Sequence, residues 1–467
     1  MSESWKPHAY EKLGVEFLVK QACAGLFWDP GLGKTSTTLA AITVLLHKRY
    51  IHRVLVISPL RPAQVVWPGE LEKWTEFNKL RMVVLHGPKK EQLLATDADI
   101  YVINPEGLHW LFRHKWKDLD FDMLVVDEST RFKHATTQQF KCLKEYLDQF
   151  KRRVILTGDP APNGLLDLFG QIYVLDLGNS LGRFITHYRN NYFDPSGVTM
   201  VNGRQVGYGW FPRAGSADKI YKAISPLVMR LAAADYLDLP PYLDNTIKVE
   251  LPKPAQDAYR QMEATLIAAV DEDVVTAANA AAATGKCRQI ANGGIYKGLG
   301  EGRETIQIHS AKTEAAEEIV EELQGQPCLI AYEFDHDLAR LRKAFGDVPC
   351  IGGGVTTAKF KEIEEKWNAG RIPILLAQPQ STSHGLNLQG TGAAVIFYSI
   401  PWDLEKYKQL IRRVWRQGQR KRVTVHHIVA KGTVDEVVMK TLRRKDQTQN
   451  ALFAALKESF KERKAWH

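Results

Sequence analysis

Short apolar runs recur along the first half of the chain: Ala24 to Trp28, Val54 to Ile57, Met82 to Leu85, Ile100 to Ile103, Met123 to Val126 and Val154 to Leu156. Polar turn residues follow them, and helix-prone stretches such as Ser36 to Leu46 lie between. Continuous apolar runs of this length predict strands buried on both faces, and strands alternating with helices build a parallel α/β sheet. A second series, Cys328 to Tyr332, Pro349 to Ile351, Ile372 to Leu376, Val395 to Tyr398 and Val423 to Val425, predicts a second domain of the same class. Between the two series, Leu239-Pro240-Pro241 and Leu251-Pro252-Lys253-Pro254 mark a boundary. The spacing Tyr259, Met262, Leu266, Val270, Val274 then predicts a helix. The pattern divides the chain into 1–238, a linker with a helical protrusion over 239–308, and 309–467, which closes on a basic, helically spaced tail.

At 467 residues the chain suits two domains of about 200 residues each. A composition of 45% hydrophobic and 25% charged residues is that of a folded protein. No stretch approaches the roughly 18 apolar residues of a membrane span. The opening Met1-Ser2-Glu3-Ser4-Trp5-Lys6 lacks the apolar segment of a secretory signal, so the expected location is the cytoplasm of a bacterium or phage-infected host. Cys23, Cys142, Cys287, Cys328 and Cys350 are widely spaced and form no Cys-x-x-Cys pair, which points to reduced thiols rather than zinc or disulfides. A net charge of +9 favours a polyanionic partner, nucleic acid first.

The loops after the strands hold the candidate chemistry. Asp29-Pro30-Gly31-Leu32-Gly33-Lys34-Thr35 follows an apolar run and opens a helix-prone one. Strand, Gly-rich turn and helix N-terminus in that order make a phosphate cradle, in which Gly31 and Gly33 let the backbone approach the anion. Lys34 then reaches the outer phosphates, Thr35 offers a hydroxyl to Mg²⁺, and Ser36 completes the cofactor-binding turn. Trp28 stands where such loops most often have Gly or Ala.

Asp127-Glu128-Ser129-Thr130 ends another apolar run. Two adjacent carboxylates at a buried strand end are costly unless a cation or a reacting water is present. Asp127 suits Mg²⁺ held through water, and Glu128 suits the orientation and deprotonation of a water attacking the γ-phosphate. In the second half, Gln409, Arg413 and Arg416 fall on one face if the segment is a continuous helix. That face is either a solvated basic surface or a pair of guanidiniums sharing a phosphate.

In order, Gly-Leu-Gly-Lys-Thr, Ile-Ser-Pro-Leu, Val-Val-Asp-Glu-Ser-Thr and Leu-Thr-Gly-Asp-Pro resemble the first motor lobe of superfamily-two helicases. Trp67, Trp74 and the stretch Leu156 to Leu168 are similar to the Swi/Snf class of double-stranded DNA translocases. Gln409 to Gln419, which reads Gln-x-x-x-Arg-x-x-Arg-x-Gly-Gln, resembles the final motif of that class, and Ser381 to Gln389 its preceding motif. Lys431 to Glu436 matches its closing Gly-Thr signature.

The resemblance covers almost the whole chain. It implies two tandem RecA-like parallel-sheet lobes with an ATP cleft between them and a short helical insertion at the start of the second. It also implies Arg413 and Arg416 as arginine fingers beside Gln409, and nucleic-acid contacts from Ser58, Arg61, Asn104, Ser381 and Asn387. The implied activity is ATP- and Mg²⁺-dependent movement on duplex DNA.

Two positions depart from the class. Glu11 replaces the Gln that reads adenine, and a carboxylate accepts from the N6 amine but cannot donate to N7. Asp159 stands in the fourth motif where Thr is usual.

Other readings stay open. One is a strand-separating helicase on branched DNA or on RNA; another is a non-motor P-loop protein such as a kinase. Residues 180–225 interleave basic and aromatic side chains, which suits either a nucleic-acid contact or a hairpin packed on the lobe, with a turn at Val201 to Arg204. Lys286, Arg288 and Lys297 suit either phosphate contacts or a solvated face. The lack of a recognisable accessory domain fits a minimal microbial or viral motor working alone or with a separate nuclease or a replication or repair protein.

Overall fold

The computed structural model describes residues 2–113, 120–201, 204–236, 242–271, 277–297, 304–352, 355–381, 388–390, 392, 394–416, 419 and 421–446. They group into two compact units, Met1–Tyr236 with the tail from Lys445, and Leu237–Arg444. Among the described residues no helix is long and apolar enough to cross a membrane.

In the first unit the apolar runs form strands β1 (Cys23–Trp28), β2 (Val54–Ile57), β3 (Met82–Val84), β4 (Ile100–Ile103), β5 (Met123–Asp127) and β6 (Arg152–Thr157). A hairpin of β7 (Phe193–Val201) and β8 (Arg204–Pro212) follows, and then β9 (Val228–Leu231). The sheet order is β3-β4-β2-β5-β6-β1-β9, with every pairing parallel. Parallel strands end together, so the loops after β1, β2, β5 and β6 share one edge of the sheet. Phe27, Ile57, Val126 and Ile155 pack with Phe132, Leu168 and Phe169 in the buried core.

Helix α1 (Ala9–Lys20) accounts for Trp28. Its indole is fully buried, and Gly14 of α1 gives it room: a Cβ on Gly14 comes within 2.4 Å of the ring. The bulky residue before the Gly-rich turn is thus matched by a missing side chain on the helix above it.

The expected turn at Val201 to Arg204 closes the antiparallel β7–β8 hairpin, in which those two residues pair; the turn residues 202–203 lie outside the described residues.

The second unit contains β10 (Leu243–Val249), a two-stranded β11 (Gly294–Lys297) and β12 (Glu304–Gln307), then β13 (Cys328–Ala331), β14 (Cys350–Ile351), β15 (Ile374–Ala377), β16 (Ala394–Phe397) and β17 (Thr424–Ala430). Its sheet runs β10-β17-β16-β13-β15-β14, again wholly parallel. Helices Lys253–Asp271 and Ala277–Asn292 precede β11.

Lys286 and Arg288 are internal ties. Lys286 donates to the Tyr296 carbonyl at 2.6 Å, and Arg288 forks onto Glu333 and donates to the Ile400 carbonyl at 2.9 Å. Both therefore anchor the helix Ala277–Asn292, while Lys297 faces Glu304 at 3.6 Å on the exposed side of the β11–β12 pair. Lys312, fully buried, meets Asp435 at 2.6 Å and Asn292 at 2.8 Å, which ties the Gly-Thr signature into the interior. The tail 447–467 lies outside the described residues.

Candidate nucleotide site

The loop after β1 has the backbone that its glycines allow. Gly31 (φ +89°) and Gly33 (φ +71°) are left-handed, and Gly33 caps helix α2 (Lys34–His47). Thr35 and Ser36 sit in the first turn of α2, where unpaired N–H groups face an anion. The Lys34 ammonium donates to the carbonyls of Trp28 at 2.7 Å and Asp29 at 3.4 Å, which holds it over the loop.

Glu11 reaches the same turn from α1. Its carboxylate accepts from the His8 N–H at 2.8 Å and the Ser36 hydroxyl at 3.4 Å, and a Cβ on Gly33 would meet Oε1 at 2.1 Å. Burial pushes its pKa up, although the His8 N–H and the Ser36 hydroxyl oppose this.

Asp127 closes β5, half-buried. Its Oδ2 accepts from Ser58 Oγ at 2.9 Å and from the indole N–H of Trp67, on helix α3 (Trp67–Lys73), at 3.0 Å. Oδ1 accepts the Glu128 N–H at 3.1 Å. Burial raises the Asp127 pKa, while Trp67, Ser58 and the nearby Lys34 charge pull it down without cancelling the rise. The Lys34 charge is thus near enough to Asp127 to act on its titration. Glu128 follows in a left-handed conformation (φ +51°, ψ +58°) that ordinary side chains adopt at a cost, and such positions cluster at active sites.

The loop after β6 closes on both. A Cβ on Gly158 would come within 3.0 Å of Pro30 in the Gly-rich turn. Asp159, buried, donates its N–H to Thr157 Oγ1 at 3.2 Å. Gln171 sits behind, donating to the Pro160 carbonyl at 2.6 Å and accepting from Ser129 Oγ at 2.7 Å.

Ser58 requires a correction. The resemblance assigned it to nucleic acid, but it is fully buried and its hydroxyl is spent on Asp127, so it belongs to the carboxylate's support. Arg61 is half-buried at the start of the π-helical segment Pro62–Val66, and burial lowers its pKa. Asn104 donates to Glu106 at 2.8 Å at the surface after β4.

In the second unit, Gln409 and Arg413 lie on the helix Leu404–Val414, but Arg416 lies beyond its end, so the three do not share one helical face. Trp415 is extended, and the buried Gln419 amide donates to the carbonyls of Gly392 at 2.9 Å and Val414 at 3.2 Å, satisfying the terminal turn. Gln409 is buried with its amide on Glu405 at 3.1 Å, and Arg413, one turn further along the helix, is half-buried. Ser381 donates to Gln378 at 3.3 Å, and Asn387 lies outside the described residues. Trp67 as a donor to Asp127, Gln171, and Arg230 on β9, which pairs with Asp29 at 2.7 Å, were missed as site residues; only Trp67 carried a signal, its place after the second motif.

Comparison with known proteins accords with this arrangement. The SNF2-related domain family matches residues 10–298, and the helicase conserved C-terminal domain family matches 311–418. The chain is 36% identical to putative protein p41 of Acyrthosiphon pisum secondary endosymbiont phage 1, over 97% of this chain and 99% of that protein. It is 25% identical to the DNA annealing helicase and endonuclease ZRANB3 of Mus musculus, over 96% of this chain but 41% of the relative. With the CHD3-type chromatin-remodeling factor PICKLE of Arabidopsis thaliana it shares 23% identity, over 96% of this chain and 34% of that one. The chain thus spans nearly all of the phage protein and less than half of these two eukaryotic relatives. A solved SWI2/SNF2 ATPase core of Sulfolobus solfataricus in complex with dsDNA aligns with 22% identity and a TM-score of 0.45, covering 98% of this chain and 96% of that one. Since the SNF2-related match alone spans more than half of its length, the chain belongs to the SNF2-related, Swi/Snf-type family of superfamily-two helicase ATPases.

Proposed function

We propose that the protein is an ATP-driven DNA translocase that moves on duplex DNA without fully separating its strands. The observation that carries the ATPase part is the convergence, on one sheet edge, of the Gly31 to Ser36 cradle, Lys34, and the Asp127-Glu128 pair.

Gly31, Gly33 and the first turn of α2 hold the phosphates through backbone N–H groups, and Lys34 adds its charge. The oxygen donors Thr35 and Asp127 suit Mg²⁺, which supplies charge neutralisation at the phosphates when bound. Glu128 orients the attacking water and takes its proton. Arg413 and Arg416, from the second unit, are the groups proposed to meet the γ-phosphate charge in the transition state. Glu11 is proposed to face the base as an acceptor only, which relaxes selectivity for adenine. Arg61, Asn104, Ser381 and Asn387 are the proposed nucleic-acid contacts. Location in the cytoplasm of a bacterium or phage-infected host and cooperation with a separate nuclease, replication or repair protein complete the reading.

Steady-state ATP hydrolysis with no nucleic acid, single-stranded DNA, duplex DNA and RNA, at one fixed salt concentration, tests it. Strongest stimulation by duplex DNA, together with triplex displacement, supports translocation. Stimulation confined to single strands or RNA, or unwinding of a forked duplex, moves the reading to the strand-separating alternative.

A further inference from the structure

Asp29 places a carboxylate at the threshold of the phosphate cradle, where an uncompensated negative charge opposes binding of a polyphosphate. The structure meets that charge from β9, the edge strand paired with β1. Arg230 on β9, 4% exposed, donates Nη2 to Asp29 Oδ1 at 2.7 Å and Nη1 to the Phe27 carbonyl at 2.8 Å. The Ala233 N–H caps Asp29 Oδ2 at 2.9 Å, and the Asp29 N–H donates to the Leu231 carbonyl at 3.1 Å. Both carboxylate oxygens and the N–H of Asp29 are therefore held by Arg230 to Ala233. The remaining polar group, the Asp29 carbonyl, faces the Lys34 ammonium at 3.4 Å.

We propose that Arg230 is a positioning residue of the phosphate cradle: it neutralises Asp29 and fixes the departure of the loop from β1, so that Lys34 and the glycine N–H groups face the phosphates. The proposal rests on the nucleotide site proposed above. It differs from a purely structural role for the buried guanidinium in one respect: the harm done by losing Arg230 comes largely from the carboxylate left behind, so removing that carboxylate as well restores binding.

The test is titration calorimetry with Mg²⁺ and the non-hydrolysable analogue adenylyl imidodiphosphate on four proteins: wild type, Arg230→Met, Asp29→Asn and the double variant. Arg230→Met is expected to weaken binding about tenfold or more, Asp29→Asn by no more than about threefold, and the double variant to recover to within about threefold of wild type. Arg230→Gln replaces Arg230→Met in the series if the latter does not fold. Wild-type affinity in the Arg230 variant, or a double variant no better than the single one, overturns the proposal while leaving the nucleotide site intact. A wild-type protein that binds no analogue overturns both.

Discussion

Trp67 donates its indole N–H to Asp127 Oδ2 at 3.0 Å, so a fully buried tryptophan holds the carboxylate proposed to face Mg²⁺. A hydrogen bond to a charged group contributes about 1.5–3 kcal/mol, and losing the indole leaves the Ser58 hydroxyl to hold Oδ2. Trp67→Phe keeps an aromatic ring and removes the donor. ATP hydrolysis should fall about tenfold, with half-saturation shifted to higher Mg²⁺. A variant with an unchanged Mg²⁺ titration separates Trp67 from the site.

Glu128→Gln keeps the shape of the side chain and removes the base. Turnover should drop by roughly 10²–10⁴, while nucleotide and DNA binding stay close to wild type. Undiminished hydrolysis takes Glu128 out of its role.

Arg413 and Arg416 differ in support, the first on a helix and the second beyond its end. If both meet phosphate, Arg413→Ala and Arg416→Ala each reduce hydrolysis by about 10³ with nucleotide affinity within a few fold, and Lys does not rescue either, since it lacks the planar fork. Full activity of either Ala variant assigns that arginine to another task.

The sheets were legible because their strands are buried on both faces and so read as unbroken apolar runs; β2 and β4 match theirs residue for residue. Two edge strands, β9 and β10, were not. In β9, Arg230 interrupts a four-residue run, and β10 is half polar because one flank of the sheet covers it less. The Gly-rich turn and the Asp-Glu pair were legible because their chemistry is contiguous in the chain. Partners such as Trp67 for Asp127, or Arg230 for Asp29, lie 60 and 201 residues apart and follow only from strand order. The end of the arginine helix was hidden for a similar reason: helical spacing continues through Arg416, but the chain turns extended at Trp415 and the buried Gln419 amide takes the Val414 carbonyl.

At the opposite end of β5, Asp122 predicts a pH dependence of stability. Its side chain is buried, which raises its pKa, but Lys151 Nζ at 2.6 Å, the His52 N–H at 2.6 Å and the His52 ring more than offset this and leave it below the usual carboxylate range. A carboxylate whose folded pKa is depressed stabilises the fold above its unfolded pKa of about 3.9, and that contribution is lost as pH falls through the folded value. Asp122→Asn should therefore cost about 1–3 kcal/mol in urea denaturation at pH 7, with the gap closing on acidification below about pH 4. Nucleotide affinity should not change, because the residue lies at the other edge of the sheet. A gap that is constant with pH removes the ion pair as its source.

Gln171 joins two of the site's loops. Its carbonyl accepts from Ser129, next to the Asp-Glu pair, and its amide donates to the carbonyls of Pro160 and Asp167 around the loop after β6. It is fully buried, so no water replaces these bonds. Gln171→Leu fills similar volume but strands the Ser129 hydroxyl and two carbonyls, at about 1–3 kcal/mol for each group left unsatisfied and with less than full additivity. The expected loss is about 3 kcal/mol by urea denaturation. Its functional signature is separable from that loss. At temperatures where the variant is folded, the two loops no longer move as one, so stimulation of hydrolysis by DNA should fall further than the basal rate. Adding Ser129→Ala to Gln171→Leu should cost little more, because the bond between them is already gone. Equal losses in basal and stimulated rates, or full additivity of the two substitutions, would mean that Gln171 only fills space.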